Sequence, residues 1–435
     1  MTVSRRDVIK AGSLASLGFA ATGALRPTPS AAAGLAPAQN ASTLPPAFNS
    51  LKPLGDRVKP ILAGEYQQRI ARAQKLMTEA VSPYSALYVT PGTSLVYFTG
   101  IHWWPSERVL ALLIPRQGDP FLVSPAFEEG RLREQLKWPI EIRTWQEDDS
   151  PFAVAAQGLL DRGVHDGKIG VEERTEYTFF DRMRQAAPAL TFVSGDPITI
   201  GCRAQKSEHE LDLMRLACSA TFDVYRALFA SLKEGMTQRE VGRMLEQGFT
   251  RMDLQGDGLV LFGPSAALPH GTHEAPILRE GMGVLIDGGT TLEGYHSDIS
   301  RTTVLGKPTE KLQRAFEIVR GAQDAALAAA VAGHECGSVD DAARKVVTDA
   351  GFGPGYKYFT HRLGHGIGLD EHEWPYLVRG NKTILKPNMT FSNEPGIYVV
   401  GEYGVRCEDD MVIAESGPAQ LLTPGFQPSL EKPIA

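Results

Sequence analysis

The chain has 435 residues, of which 43% are hydrophobic and 22% charged. That composition excludes disorder, collagen-like repeats and disulfide-stapled miniproteins, and the length implies two or three domains with a sizeable core. A formal net charge of −7, from 44 basic and 51 acidic residues with no long like-charge run, excludes a surface built for nucleic acid or an anionic membrane and favours small partners.

Residues 1–33 read as an export signal. Arg5-Arg6 is followed by the Ala/Gly/Leu-rich stretch Ala11 to Leu25 and by Ala31-Ala32-Ala33 as a small-residue cleavage site, the pattern of a twin-arginine signal. The expected destination is the periplasm or the exterior, with no membrane contact after cleavage. Losing Arg5, Arg6, Lys10 and Arg26 against only Asp7 leaves the mature chain more acidic. No other stretch approaches the ~18 apolar residues of a spanning helix.

Residues 34–60, rich in Ala, Pro, Ser and Asn, read as a linker or extended arm. From 61 to 201 the spacing predicts a small α/β domain. Its elements are a helix over Glu65 to Met77, strands at Ala86 to Thr90, Leu95 to Thr99 and Val109 to Ile114, and further alternation beyond. A second unit spans 202–425. Ser207-Glu208-His209-Glu210 and Thr237-Gln238-Arg239-Glu240 are capping boxes that start helices, and another helix is expected over Glu310 to Val331 between Gly/Thr-rich strand pairs. Cys202, Cys218, Cys336 and Cys407 form no CxxC pair, so disulfides and buried free thiols both remain open.

Seven of the ten histidines fall between 270 and 372, where uniform scatter would put about two or three. Carboxylates accompany them in strand contexts. Leu285-Ile286-Asp287 ends an apolar run, and His296-Ser297-Asp298 lies on the return strand of a hairpin turning at Thr291 to Gly294, so the two aspartates can meet. A second hairpin runs from Ser392-Asn393-Glu394 through Tyr398 to Val405-Arg406-Cys407-Glu408, where alternation puts Arg406 and Glu408 on one face. Between them, Gly364-His365-Gly366-Ile367-Gly368 lets backbone approach closely to whatever the imidazole holds. Four carboxylates in one cleft would repel one another unless cations neutralise them, and two divalent ions suffice. Oxygen-rich ligation with one imidazole suits Mn, Co, Fe or Zn.

These residues resemble the pita-bread metallopeptidases of the prolidase and aminopeptidase P group, with a creatinase-type N-terminal domain, over roughly 65–420. The resemblance implies an α+β chain: a smaller α/β creatinase-like domain over 61–201, then a pita-bread catalytic domain over 202–425. It implies Asp287, Asp298, His365, Glu394 and Glu408 as ligands of two divalent ions, most often Mn, with Asp298 and Glu408 bridging. His270 and His372 match histidines that bind substrate and stabilise the tetrahedral intermediate. Tyr398 and Arg406 match residues of a proton shuttle with Asp287. The residue after Glu373-Trp374-Pro375, an arginine that binds the substrate carboxylate in some prolidases, is Tyr376 here. Trp104, in His102-Trp103-Trp104-Pro105, is a candidate substrate contact, reaching a pocket of its own or a neighbouring subunit. His273, His296 and His361 fall off the ligand pattern and are expected behind it.

The implied activity is hydrolysis of Xaa-Pro bonds in small peptides with proline second, by a hydroxide bridging the two ions, with Glu394 as base and His372 as donor to the oxyanion. Relatives commonly form homodimers. The alternatives are a metal-dependent pita-bread enzyme on a non-peptide substrate, of dimethylsulfoniopropionate lyase or organophosphate hydrolase type, or a non-catalytic binding module. Creatinase itself lacks the ligands that are intact here.

Overall fold

The computed structural model describes residues 44–434. The export signal expected over 1–33, and the arm as far as residue 43, lie outside the described residues. The remaining arm residues are not a free tether. Two short 3-10 turns, Pro46–Ser50 and Gly55–Arg57, carry Phe48, Leu51 and Leu54 into the core of the C-terminal part, where Phe48 packs between Val224 and Phe249. A Cβ on Gly248 would come within 3.0 Å of the Phe48 ring, so only a glycine there admits it.

Six strands form the first sheet. In chain order the elements are α1 (Ala63–Glu79), β1 (Ala86–Val89), α2 (Thr93–Thr99), β2 (Ala111–Pro115), β3 (Phe121–Pro125), α3 (Glu129–Gln135), β4 (Glu141–Trp145), α4 (Pro151–Leu160), β5 (Gly167–Val171), α5 (Tyr177–Ala186), β6 (Leu190–Ser194) and α6 (Asp196–Arg203). The sheet order is β4-β3-β2-β1-β5-β6, with β2 antiparallel to both of its neighbours and the other pairs parallel. The strand expected at Leu95 to Thr99 is the helix α2. An apolar run this short has no decisive period. Burial of Leu95, Tyr97, Phe98 and Thr99, a Thr99 hydroxyl donating to the Leu95 carbonyl, and a left-handed Gly100 at φ 76° as the stop favour the helix.

The C-terminal part begins with α7 (Glu208–Phe229) and α8 (Gln238–Thr250). Both start at the expected capping boxes: Ser207 Oγ accepts from Glu210 N while Glu210 Oε2 accepts from Ser207 N, and Thr237 and Glu240 repeat the arrangement. Then come β7 (Gly256–Phe262), β8 (Gly283–Leu292), β9 (Tyr295–His296), β10 (Ile299–Val304), α9 (Glu310–Ala329) and α10 (Cys336–Val347). The chain ends with β11 (Gly364–Gly366), β12 (Glu373–Leu377), β13 (Thr390–Asn393), β14 (Gly396–Val399), β15 (Tyr403–Arg406), β16 (Asp409–Val412) and β17 (Gln420–Leu421). Strands β10-β8-β7 form one curved sheet under α7 and α8, and β12-β11-β13-β16-β17 a second, with the β14-β15 ribbon beside α9. Two apolar cores correspond to these halves. All four cysteines are free and buried. Among the described residues no helix is long and apolar enough to cross a membrane.

Polar groups join the halves. Glu408 N donates to Ser300 O, Thr302 Oγ1 to Arg406 O, and the fully buried Arg301 pairs with Asp409 at 2.6 Å. The α/β domain is tied on by Arg69, which bonds Glu210 and the Tyr295 hydroxyl at 2.8 Å each.

Phe48→Ala should lower the unfolding free energy in urea by about 3–5 kcal/mol, because the ring leaves a cavity between rigid helices. A loss below about 1 kcal/mol would place the arm outside the core.

Candidate metal centre

Where the two half-sheets face each other lies a cavity of about 450 Å³, lined by Asp287, Asp298, His365, Glu394 and Glu408 together with His270, His361, Arg362, His372 and Arg406. Asp287 comes from β8 and Asp298 from the turn entering β10. His365 lies on β11, Glu394 just beyond β13, and Glu408 between β15 and β16. Register pairs Asp287 with Ser300 rather than with Asp298, yet carboxylate oxygens of Asp287, Asp298 and Glu408 all lie within 4.8 Å of one another. Donor atoms of His365, Glu394 and Glu408 form a second such group, and those of Asp298, His365 and His372 a third.

The imidazole is set by its backbone. Its strand can lie this deep because Gly364 and Gly366 carry no side chain: a Cβ on Gly366 would meet Glu373 O at 2.6 Å, and one on Gly364 would strike Ser392 O. His365 Nδ1 sits 3.1 Å from Gly366 O, so it carries the proton and leaves the Nε2 lone pair facing Glu394 Oε1 at 3.5 Å and Asp298 Oδ2 at 3.6 Å. Burial, with His372 beside it, lowers its pKa to about 3, so the ring is neutral, as a ligand must be.

The carboxylates divide by their neighbours. Burial pushes Asp287 up, but Arg406 at 2.6 Å and the Ser300 hydroxyl outweigh it and hold the group at about 2. Burial and the surrounding acids push Asp298 and Glu408 well above the usual range, and burial takes Glu394 to about 8. Ser300 Oγ lies 2.6 Å from Asp287 Oδ1 and 2.8 Å from Glu408 Oε2, and its single proton serves one of them. The other contact needs a proton on Glu408 when no cation is bound. These donors fit two divalent ions: oxygen-rich, one neutral imidazole, and carboxyls whose charge only added cations relieve.

Behind the carboxylates runs a hydrogen-bonded chain. Arg406 donates to Asp287, Ser300 Oγ, the Tyr398 hydroxyl and Pro269 O. Tyr398 in turn meets His361 Nε2 at 2.8 Å, and His361 Nδ1 meets Arg362 O at 2.8 Å. Arg406 thus fixes both Tyr398 and the loop that carries the exposed His270. His372 stacks on His365 with ring centroids 3.8 Å apart. Arg362 donates to its Nδ1 at 3.4 Å, which leaves the His372 proton on Nε2. The loop is anchored by Glu373, held by Lys206 and Arg203 at 2.5 Å each, and by Asp370, held by Arg203, Arg174 and Thr93.

Two expected substrate contacts are elsewhere. Trp104 is 85% exposed and lines a separate cavity with Trp103, Thr291 and His296, because its loop runs over the β8-β9 turn. Tyr376 does not line the metal cavity, since its ring packs under the guanidinium of Arg362 at 3.9 Å. Of the off-pattern histidines, His361 is the one at the site. His296 lies in the Trp104 cavity, and His273 is exposed. Ser300, Arg362 and Lys206 were not expected. The signal for Ser300 was its place two residues after Asp298, on the same strand face.

The family model for metallopeptidase family M24 matches residues 212–415, and that for the creatinase/prolidase N-terminal domain matches 69–205. The putative dipeptidase YkvY of Bacillus subtilis is 32% identical over 357 residues, covering 81% of this chain and 97% of the relative. The Xaa-Pro dipeptidase of Lactobacillus delbrueckii subsp. lactis is 34% identical over 338 residues, 76% of this chain and 90% of the relative. Among solved structures, dipeptidase PepE from Mycobacterium ulcerans superposes with a TM-score of 0.78 at 31% identity, covering 84% of this chain and 98% of that one.

A pH dependence follows from the raised carboxyls. Asp298, Glu394 and Glu408 keep protons in the metal-free fold that the unfolded chain releases at its ordinary, lower pKa. For Glu394 that contribution is complete in acid and is lost as pH rises towards about 8, and the raised carboxyls of Asp298 and Glu408 act in the same direction. Chelated protein should therefore show a falling thermal midpoint between pH 5 and 8, at up to about 1.4 kcal/mol per pH unit for each proton. Adding Mn at pH 7 should restore the midpoint and release protons, read as buffer-dependent calorimetric heat. A flat chelated profile without proton release would contradict the protonated cluster.

Proposed function

The chain belongs to metallopeptidase family M24, and from that premise we propose that it hydrolyses Xaa-Pro bonds in short peptides using two divalent ions. The observation that carries the reading is the convergence of Asp287, Asp298, His365, Glu394 and Glu408 on one cavity, in overlapping donor groups that share Asp298, His365 and Glu408. Asp298 and Glu408 would be shared between the ions, with Asp287 available to one and His365 with Glu394 to the other. The alternatives without peptide hydrolysis draw no support from the relatives, which carry dipeptidase names.

When bound, the ions supply a water acidified to a nucleophile at neutral pH and a Lewis acid for the scissile carbonyl. Glu394, whose carboxyl would be ionised once the ions displace its proton, is the group placed to take the proton of that water. His372 presents its Nε2 proton to the developing oxyanion, held in that tautomer by Arg362. His270 lines the same cavity, follows Pro269, whose carbonyl Arg406 holds, and binds the substrate. Tyr398, between Arg406 and His361, is held with Asp287 by the same guanidinium, which orients both without giving up a proton of its own. The Xaa-Pro bond is a tertiary amide with no N–H, so a site that grips an extended backbone serves it poorly and a dedicated enzyme has a role.

The reading extends to Mn as the working ion, with Co, Zn or Fe as alternatives, to a homodimer, and to export through the twin-arginine signal at residues 1–33. The Arg5-Arg6 pair and the Ala31-Ala32-Ala33 run support export.

Mn-loaded enzyme should cleave Ala-Pro, with chelator abolishing the activity and Mn restoring it, while Ala-Ala-Ala stays intact. Glu408→Ala should lose bound metal and more than about a hundredfold in kcat/KM together. Chelator-insensitive cleavage, or none of Ala-Pro or Ala-Pro-Ala, would overturn the assignment.

A further inference from the structure

We infer that Arg362 receives the free carboxylate of the substrate and so selects dipeptides over longer or carboxyl-blocked peptides. This rests on the peptidase reading above. The two arginines lining the cavity differ in how they are engaged. Arg406 is committed to Asp287, Ser300, Tyr398 and Pro269. Arg362 forms no ion pair with any carboxylate among the described residues, and its side chain makes one polar contact, the 3.4 Å bond to His372 Nδ1.

Once divalent ions neutralise the four acids, Arg362 is a half-buried cation in the cavity wall without a counter-charge. Its guanidinium face is occupied by the Tyr376 ring at 3.9 Å, which fixes the plane of the group. Stacking on the face leaves the edge free, and the edge carries the parallel N–H pair that matches a carboxylate. The position suits a dipeptide. His372 is in ring contact with the ligand His365 and in hydrogen-bond contact with Arg362, so the guanidinium lies two side-chain contacts from the ligands. In an Xaa-Pro dipeptide the carboxylate follows the scissile bond by a single residue, and the whole molecule spans at most about 7 Å. A third residue would carry its carboxylate past Arg362 and put a neutral amide in its place.

The test compares Ala-Pro with Ala-Pro amide, using full-length Mn-loaded enzyme as wild type, Arg362→Gln and Arg362→Lys. Wild type should prefer the acid. In Arg362→Gln the acid-over-amide ratio of kcat/KM should fall about tenfold to a hundredfold through KM, with Arg362→Lys recovering part of it. An unchanged ratio, a wild type indifferent to the carboxylate, or a loss confined to kcat for both substrates would overturn the assignment. The last outcome would mean that Arg362 acts only by positioning His372. Should Arg362→Gln fail to fold or to bind metal, the wild-type ratio and the lysine variant decide. A wild type that cleaves neither substrate refutes the peptidase reading itself.

Discussion

Four carboxyl groups share one cavity at the seam of the C-terminal domain, and buried like charges cannot all be ionised without cations among them. The protein meets this constraint unevenly. Arg406 holds the Asp287 carboxyl low, whereas burial and the neighbouring acids push Asp298 and Glu408 well above the usual carboxylate range. That partition leaves Asp287 permanently charged and bonded to Arg406, the start of a chain through Tyr398 to His361. The other acids are left with protons that a cation can displace. A second arginine paired to Glu408 would relieve the repulsion equally well and would compete with the metal.

Donors from two half-sheets must also be held in register. Asp287 and Asp298 come with one half, His365, Glu394 and Glu408 with the other, so a slip of one residue at the seam would turn Glu408 away from the cavity. Arg301 and Asp409, both fully buried and 2.6 Å apart, act against that slip. A buried pair of this kind is weak evidence for net stability, because desolvation offsets much of the attraction. Its geometric effect is clear. Arg301 follows Ser300 directly and Asp409 follows Glu408, so pairing the second residues sets the first residues side by side and brings Ser300 Oγ to 2.8 Å from Glu408. Asp410, one position further on, accepts from the backbone N–H of Asp298 and fixes that ligand from behind.

The convergence of Asp287, Asp298, His365, Glu394 and Glu408 on one cavity was legible in the sequence because each sits in a strand or strand end whose period places it. The capping boxes at Ser207 and Thr237 were legible for the same local reason. What was not legible depends on contacts distant in sequence. The run from Leu95 to Thr99 has strand composition, but close packing on nearly every side makes it a helix. The Pro-rich segment after residue 43 has linker composition, yet Phe48 finds a glycine-lined slot on α8. Arg362 carried no signal in the sequence. Its significance appears only when β12 brings Tyr376 beneath it.

The α/β domain, which sequence could only set beside the catalytic domain, takes part in holding the site. His372 lies on the loop just before β12, flanked by Asp370 and Glu373. Those two acids are gripped by Arg203, Arg174 and Thr93 of the α/β domain and by Lys206 at the junction. Glu373 is buried with two cations 2.5 Å from it, a geometry in which removing one partner strands a charge and costs several kcal/mol. The loop is therefore as rigid as the contact between the domains. In the proposed mechanism His372 would gain from that rigidity, since a donor already in place needs no reorganisation at the moment of reaction. The N-terminal domain thus helps to position His372, which lines the metal cavity, although none of that domain's described residues lines the cavity itself.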